Sequence, residues 1–470
     1  MNLNFGESML LPPRVTPVVD PWFRPAALVM REVRKQTSQL EDAPLARLAL
    51  EQTDGSVSEF SLRVFPENHA QSTFNGRLVE RLLKFHLWAR GGFRIHVDAP
   101  PAVVAHLERY FSKNPRGQFD DLVIGHKVYD RALEVFPTKQ LPSPRSSTAP
   151  LGRHLDGNRI GFDLGGSDRK VAALVDGEVV FSEEVVWDPI KQSNPQYHFD
   201  GIMDSLKRAA AHLPSVDAIG GSAAGVYVNN RVKVASLFRA VSPPLFESRV
   251  KNLFLEIKEA WHNLPFALAN DGEVTALAGS MALGKNAVLG IAMGTSMAAG
   301  YVTRDGNITS WLNELAFAPV DFRTDGPVDE WSGDSGCGVQ YFSQQCVGRL
   351  LAVAGIDVEA TLPLPEKLLL VQELMQADDY RARKIYQTIG VYLGYSIAFY
   401  REFYDFEQLL VLGRVTTGAG GSVIVEEARK VLDLEFPEVS EQIDFHVPDE
   451  KEKRHGQAIA AASLPVIHRA

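Results

Sequence analysis

Three glycine-rich turns, each following an apolar run with the composition of a β-strand, constrain this 470-residue chain more than any other feature. The first lies in GFDLGGSDRKVAALVDG (161–177), the second in GIAMGTSMAAGYV (290–302) and the third in LGRVTTGAGG (412–421). Glycine permits tight turns and close approach of a ligand to the backbone, and successive N–H groups in such turns form an anion-binding concavity. We therefore interpret the three turns together as a site for a phosphate chain.

The first two turns are predicted hairpins that hold phosphate. Asp163 ends the first strand, and its carboxylate would repel a phosphate unless a divalent cation lay between them, so we expect it to hold Mg²⁺, most simply through water. The third turn ends a strand and opens a helix, which suits a nucleotide at a helix N-terminus. The candidate phosphate and nucleotide ligands are Gly165, Gly166, Ser167, Lys170, Gly294, Thr295, Ser296, Gly413 and Gly418.

A candidate general base lies between the two hairpins, in LANDGEVTALAG (268–279). Asn270 and Asp271 end an apolar strand and precede a helix predicted to begin at Gly272. An isolated Asp here would be explained as a helix cap. Because Asp271 stands between two phosphate-binding turns, it is also placed to take the proton of an attacking hydroxyl.

The segment LPSPRSSTAPLGRH (141–154) separates two regions of different pattern, since Pro, Ser and Thr crowd there without a hydrophobic period. We predict a linker over 141–157, an α+β accessory domain over 1–140 and a second domain over 158–470. The pattern of the first domain predicts the element order β-β-α-β-α, with a hairpin at Asp54-Gly55. The second reads as two related halves, each with a strand–turn–strand hairpin, the second half opening near Ala267.

Composition narrows the class of protein. The formal net charge is −10, and residues 1–150 carry 19 Lys and Arg against 16 Asp and Glu, or +3, so the remainder carries −13. This balance argues against nucleic acid as the main partner. Two cysteines suit a reducing compartment. The N-terminus lacks signal-peptide features and no apolar run reaches about 18 residues, so we expect a cytoplasmic protein without a membrane partner.

Residues 158–465 resemble the ROK family of sugar kinases, in the actin/hexokinase-type ATPase superfamily. DLGGSDRKV is similar to the family's first phosphate motif, GTSMAAG to its second, LVLGRVTTGAGG to its adenosine motif, and NDGEVTALAG to its catalytic Asn-Asp with the helix that follows. The resemblance implies an α/β, two-lobed, ribonuclease H-like fold, here with a separate N-terminal α+β domain. It also implies that Asp271 is the base, that Asn270 binds a sugar hydroxyl, that Asp163 organises Mg²⁺, and that 413–421 surround the adenosine of ATP.

The sequence departs from the ROK family at the positions where that family binds its sugar and its zinc ion. In NELAF, Glu314 matches the family's sugar-binding Glu, but the His position is Phe317. The zinc-binding Cys cluster is reduced to Cys337, and one Cys cannot hold a structural zinc, which takes four ligands. The sugar-binding Glu that follows the cluster is missing, and Gln340 stands near its place. We therefore expect no structural zinc, and glucose is not the implied substrate.

Three functions remain open at this stage. The leading hypothesis is an ATP-dependent kinase of a sugar or sugar-like polyol, because phosphoryl transfer depends mainly on positioning and electrostatics. The second is a ligand-binding protein that has kept the fold and lost turnover. The third is a ROK-type transcriptional regulator, which the nearly neutral N-terminal region without a basic recognition helix disfavours. The acceptor stays undetermined, and so does whether the chain forms a homodimer.

Overall fold

The N-terminal unit is a four-stranded sheet covered by helices. The computed structural model describes residues 9–146, 151–448 and 456–467. The strands pair in the order β2-β1-β3-β4, and the turn between β1 and β2 contains Gly55 at φ +85°. This confirms the predicted hairpin and the β-β-α-β-α order over residues 45–113, whereas the helix before them and the helix and fourth strand after them were not predicted. The elements are α1 Ala26–Thr37, β1 Leu45–Glu51, β2 Val57–Arg63, α2 Asn75–Arg90, β3 Arg94–Asp98, α3 Pro101–Lys113, α4 Pro115–Asp120 and β4 Glu134–Pro137.

The first lobe of the remaining chain is built on a five-stranded sheet of order β11-β8-β5-β6-β7. The predicted antiparallel meander is confirmed as β5-β6-β7, whereas β8 and β11 run parallel to β5. A small hairpin, β9 and β10, follows β8. The elements are β5 Asn158–Leu164, β6 Asp168–Val175, β7 Glu178–Val186, α5 Pro195–Ala210, β8 Ala218–Ala223, β9 Val226–Val228, β10 Arg231–Val234, α6 Pro243–Leu245, α7 Leu253–Ala260 and β11 Phe266–Asn270.

The second lobe repeats the plan in a four-stranded sheet of order β13-β12-β14-β15. Here β12 and β13 form a hairpin, and β14 and β15 run parallel to β12. Its elements, and the helix that returns to the first lobe, are α8 Asp271–Leu283, β12 Val288–Met293, β13 Met297–Val302, α9 Gln344–Val353, α10 Leu364–Gln376, α11 Tyr380–Tyr400, β14 Gln408–Leu412, α12 Ala419–Glu435, α13 Pro437–Ser440, β15 Asp444–His446 and α14 Gly456–Ala462.

The division between the two halves differs from the sequence expectation in one respect. The strand at 266–270 does not open the second half, because β11 pairs with β8 and so completes the first sheet. The second sheet begins at Val288. Helix α8 connects the two sheets and therefore lies where the lobes meet.

Glycines in the strands let helices pack closely on the first lobe. A Cβ on Gly161 or Gly220 would collide with backbone carbonyls of α14, those of Ala458 and Ala461 respectively. Helix α14 therefore lies directly against β5 and β8. This packing sets the position of the strand that ends in Asp163.

The N-terminal unit shares one apolar core with the second lobe. Phe85 of α2 packs edge-to-face on Phe399 of α11 with ring centroids 4.7 Å apart, and Phe23 packs on Tyr392 at 4.8 Å. Aromatic pairs of this kind stabilise a core beyond the area that they bury. The unit therefore has its own sheet but contributes its helices to the interior of its neighbour.

A buried ion-pair network also joins the unit to the second lobe. Asp334 has no exposed side-chain surface and lies 2.7 Å from Arg81, 2.8 Å from Lys84 and 3.3 Å from Arg116. Lys84 is itself fully buried and also contacts Asp120 at 3.1 Å. Burial alone would raise the pKa of Asp334, but the charges of Arg81 and Lys84 outweigh it and hold that pKa well below the ordinary value.

Two β-bridges hold the predicted linker, one before residues 147–150 and one after them. Arg145 forms a β-bridge with Val57 of β2, and Leu151 forms one with Ile308 of the second lobe. Residues 147–150 of the linker, like 1–8, 449–455 and 468–470, lie outside the described residues, and the domain limits stay a prediction. None of the helices in the described ranges is long and apolar enough to cross a membrane.

Candidate active site

The carboxyl ends of the parallel strands of the first lobe bring the predicted acidic residues to one edge. Asp163 on β5 lies beside Ser222 on β8, and Asn270 on β11 lies beside Ala223. Ser222 Oγ donates to Asp163 Oδ1 at 2.6 Å, and Lys170 Nζ lies 3.9 Å from Asp163 Oδ2. Ligands of open α/β sheets bind at this edge. The structure thus places Asp163 where a nucleotide-bound cation would be expected.

Asp271 is the first residue of α8 and not its cap. The N-cap is Asn270, whose Oδ1 accepts from Gly272 N at 2.7 Å and whose Nδ2 donates to Gly225 O at 2.8 Å. Asp271 Oδ1 also accepts from Gly272 N, at 2.9 Å. The helix begins one residue earlier than predicted, because the Asn270 side chain satisfies the free backbone donor. The capping explanation of Asp271 is therefore not required.

Acidic groups around Asp271 raise one another's pKa. Burial, followed by the negative charge of Asp163, raises the pKa of Asp271 to about 6. Burial and the charge of Asp271 raise the pKa of Glu314 to about 7 and that of Tyr227 well above its ordinary value. A carboxylate with a pKa near 6 is ionised at neutral pH yet basic enough to accept a proton. Strongly shifted carboxyls in a cleft are typical of functional sites.

The first glycine-rich turn connects β5 to β6 and is fixed at its base. Gly165 N donates to Asp168 O at 2.9 Å, and Trp187 Nε1 donates to Gly165 O at 2.8 Å. Ser167 Oγ donates to Asp168 Oδ2 at 2.8 Å, and Lys170 Nζ contacts Asp168 Oδ1 at 3.0 Å. Gly166 and Ser167 are exposed. The turn therefore has an exposed tip, and carboxylates hold Lys170 beside it.

The second and third turns lie side by side because β12 and β14 are paired, Ala292 with Leu412. Gly413 has φ +96°, and a Cβ there would lie 2.5 Å from the carbonyl oxygen of Met293. Thr295 and Ser296 are exposed. Gly418, at φ +73°, is the N-cap of the 17-residue α12 and has no atom within 4 Å of an added Cβ. The structure thus brings both predicted nucleotide-binding turns to the same edge.

Two glycines fix α8 against the second hairpin. A Cβ on Gly300 would collide with the carbonyl of Gly272, and one on Gly272 would lie 2.6 Å from Ala299 O. The N-terminus of α8 therefore touches β13 without intervening side chains. Met297, the first residue of β13, is buried in the core.

The N-terminal unit holds the loop that carries Glu314. The backbone N–H of Glu314 donates to Trp88 O at 3.0 Å, and the backbone N–H of Asn313 donates to Ala89 O at 3.0 Å. Phe317, at the family's His position, packs on Trp88 with ring centroids 4.5 Å apart and on Phe119 at 5.6 Å. Phe317 therefore belongs to the contact between the N-terminal unit and the second lobe.

Cys337 and Gln340 lie in the segment that corresponds to the zinc-binding Cys cluster of the ROK family. Cys337 is fully buried, and burial with the charge of Asp334 raises its pKa to about 12. Gln340 Nε2 donates to Gln345 Oε1 at 2.7 Å. Within the described residues no group of three or more His, Cys, Asp and Glu is placed to hold a metal ion. The absence of structural zinc stays a prediction.

Mg²⁺ fits the residues present. It usually keeps several waters and takes one or two carboxylates together with substrate phosphates. Asp163 supplies one carboxylate, and its negative charge contributes to the raised pKa of Asp271. Burial also raises the pKa of Asp163. A cation at this edge would relieve both effects.

A cavity of about 410 Å³ opens beside the acidic cluster, at the junction of both lobes and the N-terminal unit. Asn270 and Glu273, on either side of Asp271, line it. Glu273, which sequence reasoning missed, is only 6% exposed, and burial is the main cause that raises its pKa to about 8. Asn313 Nδ2 donates to its Oε1 at 3.0 Å. The signal that could have identified Glu273 is its position three residues after Asn270, which places both residues on one face of the predicted helix.

Comparisons with known proteins identify the fold. No family model matches the chain and no curated protein matches it. Among solved structures, it is similar to the ROK hexokinase from Thermus thermophilus, with 18% identity and a TM-score of 0.50 over 65% of this chain and 96% of that one. It is also similar to a ROK family transcriptional regulator, a homolog of the E. coli MLC protein, with 19% identity and a TM-score of 0.52 over 66% of this chain and 79% of that one. The chain therefore has the two-lobed ROK-type, actin/hexokinase-type fold, with a further region beyond it.

Proposed function

We propose that the protein transfers the γ-phosphoryl group of ATP to a hydroxyl of a sugar or sugar-like polyol. The observation that carries this proposal is the position of Asp271. It has a pKa of about 6, is coupled to Asp163, and begins the helix that lies directly against the hairpin of the second glycine-rich turn. A base, a cation ligand and phosphate-binding turns are the parts that phosphoryl transfer requires.

In this proposal Asp271 accepts the proton of the acceptor hydroxyl as its oxygen bonds to the γ-phosphorus. The bond from that phosphorus to the β–γ bridging oxygen breaks, and ADP leaves. The exposed turns at 165–167 and 294–296 hold the phosphates through backbone and hydroxyl donors, and Lys170 adds a positive charge near them. Gly413 lets its turn lie against the backbone of Met293, and Gly418, which has open space around it, leaves room for the adenosine. Mg²⁺, held by Asp163, would neutralise phosphate charge.

The acceptor in this proposal meets Asn270 and Glu314. Asn270 is fixed by its bonds to Gly272 and Gly225, so its amide keeps one orientation. Glu314 is held by the backbone bond to Trp88, and its pKa of about 7 lets it accept or donate a hydrogen bond to a hydroxyl. The hydroxyl nearest Asp271 would be the one phosphorylated.

One observation favours a second candidate, a ligand-binding protein without turnover: Phe317 stands at the family's His position and packs on aromatic residues of the N-terminal unit. The similarity to a ROK regulator keeps DNA binding as a third. The N-terminal unit does not favour it, since residues 1–150 carry 19 Lys and Arg against 16 Asp and Glu, and a DNA-binding domain presents a basic face.

The test is acceptor-dependent consumption of Mg-ATP by the full chain across a panel of sugars and polyols, with the phosphorylated product identified by mass spectrometry. The proposal expects ADP and a phosphorylated acceptor in equal amounts. Sugar binding without ATP consumption would instead support the ligand-binding protein. A specific shift of genomic DNA fragments in a gel, without product formation, would support the regulator.

A further inference from the structure

We propose that the N-terminal unit forms one wall of the acceptor pocket and makes it selective for uncharged or cationic sugars over anionic ones. This inference rests on the proposed function and concerns the cavity of about 410 Å³ described above. Its volume lies within the range of small-molecule sites, roughly 300–1,000 Å³. The wall consists of Gln52, Thr53 and Asp54 at the β1–β2 turn, together with Tyr129.

The cavity is connected to the proposed chemistry by α8. Asn270 and Glu273 are three residues apart and so share a helix face, and both line the cavity. Asp271 is turned about 100° from Asn270 and is coupled to Asp163 instead. Gly225 and Tyr227, from the loop after β8, complete this side. An acceptor in the cavity would therefore contact the residues that flank Asp271 on α8.

The charges of the lining residues set the class of ligand. Among the described residues that line the cavity, none is Lys, Arg or His, whereas Asp54 and Glu273 are carboxyls. With a pKa of about 8, Glu273 is mainly protonated at neutral pH and can donate to a hydroxyl. Asp54 places a second carboxyl in the lining, at the β1–β2 turn. The remaining polar lining is uncharged, which suits hydroxyls, whereas the Asp54 carboxylate repels a carboxylate or phosphate on the ligand.

Two cations lie beside this wall, and neither of them lines the cavity. Arg145 Nε donates to Gly55 O, next to Asp54. Arg90 lies against the ring of Trp311, 3.2 Å from its centroid, and donates to Phe403 O. Its Nε and Nη1 are buried without exposed surface. Trp311, and not Arg90, lines the cavity.

The wall is held in place by its own contacts. Asp54 Oδ1 accepts from Ser56 N at 2.8 Å, which closes the turn. Gln52 Nε2 donates to Arg90 O at 2.7 Å. Because Asn can accept the same bond from Ser56, Asp54→Asn removes the charge and keeps the turn. This makes Asp54 a suitable position for a test.

The experiment measures binding of matched neutral, 2-amino and uronic acid forms of glucose, galactose and mannose to the full chain by calorimetry without ATP. The wild type should bind an amino or neutral form more tightly than the matching uronic acid. Asp54→Asn should reduce the preference of the amino over the acid form about two- to fivefold, the range for an exposed charge, and Asp54→Lys should reduce it further. The control is Asp42→Asn, at an exposed position outside the cavity, which should leave the preference unchanged.

A second variant tests the location of the pocket. Thr53→Trp should fill the cavity and weaken sugar binding at least tenfold without lowering the melting temperature, whereas Asp42→Trp should not affect binding. Tighter binding of the acid forms, no response to either Asp54 variant, or no binding of any form would overturn the inference. If discrimination follows Asp54 but no sugar is phosphorylated, the inference stands and the proposed kinase activity fails.

Discussion

Replacing Asp334 by Asn should strongly destabilise the protein, because Asp334 is the shared partner of buried cations on the N-terminal unit. Its carboxylate has no exposed surface and lies 2.7 Å from Arg81 and 2.8 Å from Lys84, whose side chains are 5% and 0% exposed. Asn keeps the shape and an acceptor oxygen but not the charge. Lys84 would then retain only Asp120, at 3.1 Å, and Arg81 would be left without a carboxylate among the ion pairs of the described residues.

The expected loss in the free energy of unfolding follows from the burial of the Asp334 ion pairs. Removing one partner of a buried ion pair leaves an uncompensated charge and costs about 3–5 kcal/mol. An exposed pair contributes roughly 0–1 kcal/mol. Arg304 and Asp405 are such a pair, with side chains 51% and 56% exposed, so Asp405→Asn is the matched control with the same chemical change.

The assay is equilibrium unfolding in urea at pH 7, followed by tryptophan fluorescence. Asp334→Asn should lower the free energy of unfolding by about 3–5 kcal/mol, and Asp405→Asn by about 1 kcal/mol or less. Since the pKa of Asp334 is lowered, its stabilisation is complete above the ordinary value of 3.8 and is lost as the pH falls below it. An Asp334 variant within 1 kcal/mol of the wild type would refute the role of the network.

Three further outcomes are expected. The acidic limb of the pH profile of kcat/KM, which reports the enzyme without bound Mg-ATP, should have its midpoint near 6, because Asp271 must be ionised to act as base; Asp163→Asn should move that limb to lower pH by removing a negative neighbour. Gly413→Ala should impair ATP binding measured by calorimetry, since its Cβ would meet Met293 O at 2.5 Å, whereas Gly418→Ala adds only backbone strain. Purified protein should contain no stoichiometric zinc by elemental analysis; about one zinc per chain would contradict this.

Local patterns predicted the elements that lie around the site. The Asp54-Gly55 turn, the β5-β6-β7 meander and the hairpin at 294–296 were predictable because alternation and turn chemistry act over a few residues. The strand at 266–270 was assigned to the wrong half, since parallel pairing with β8 spans about 45 residues and leaves no local signal. Sequence order and sheet order differ at that point.

The role of the N-terminal unit could not be predicted from local pattern. Arg81 and Asp334 are 253 residues apart, so nothing near either one indicates the pair. Phe317 stands where the family has a His, and from the sequence alone this indicates the loss of a sugar ligand. In the fold, Phe317 makes an aromatic contact with Trp88 of the N-terminal unit. Glu273 was overlooked because its burial and its place in the cavity depend on all three parts of the chain.

The most direct test of the central claim is turnover by the Asp271→Asn variant, with any acceptor that the wild type phosphorylates. Asn270 caps the helix, so the melting temperature and ATP affinity should be unchanged, and the substitution removes basicity alone. The account predicts that kcat falls by roughly 10²–10⁴, the usual range for acid–base catalysis. Unchanged kcat in a folded, ATP-binding variant would contradict the assignment of Asp271 as the base.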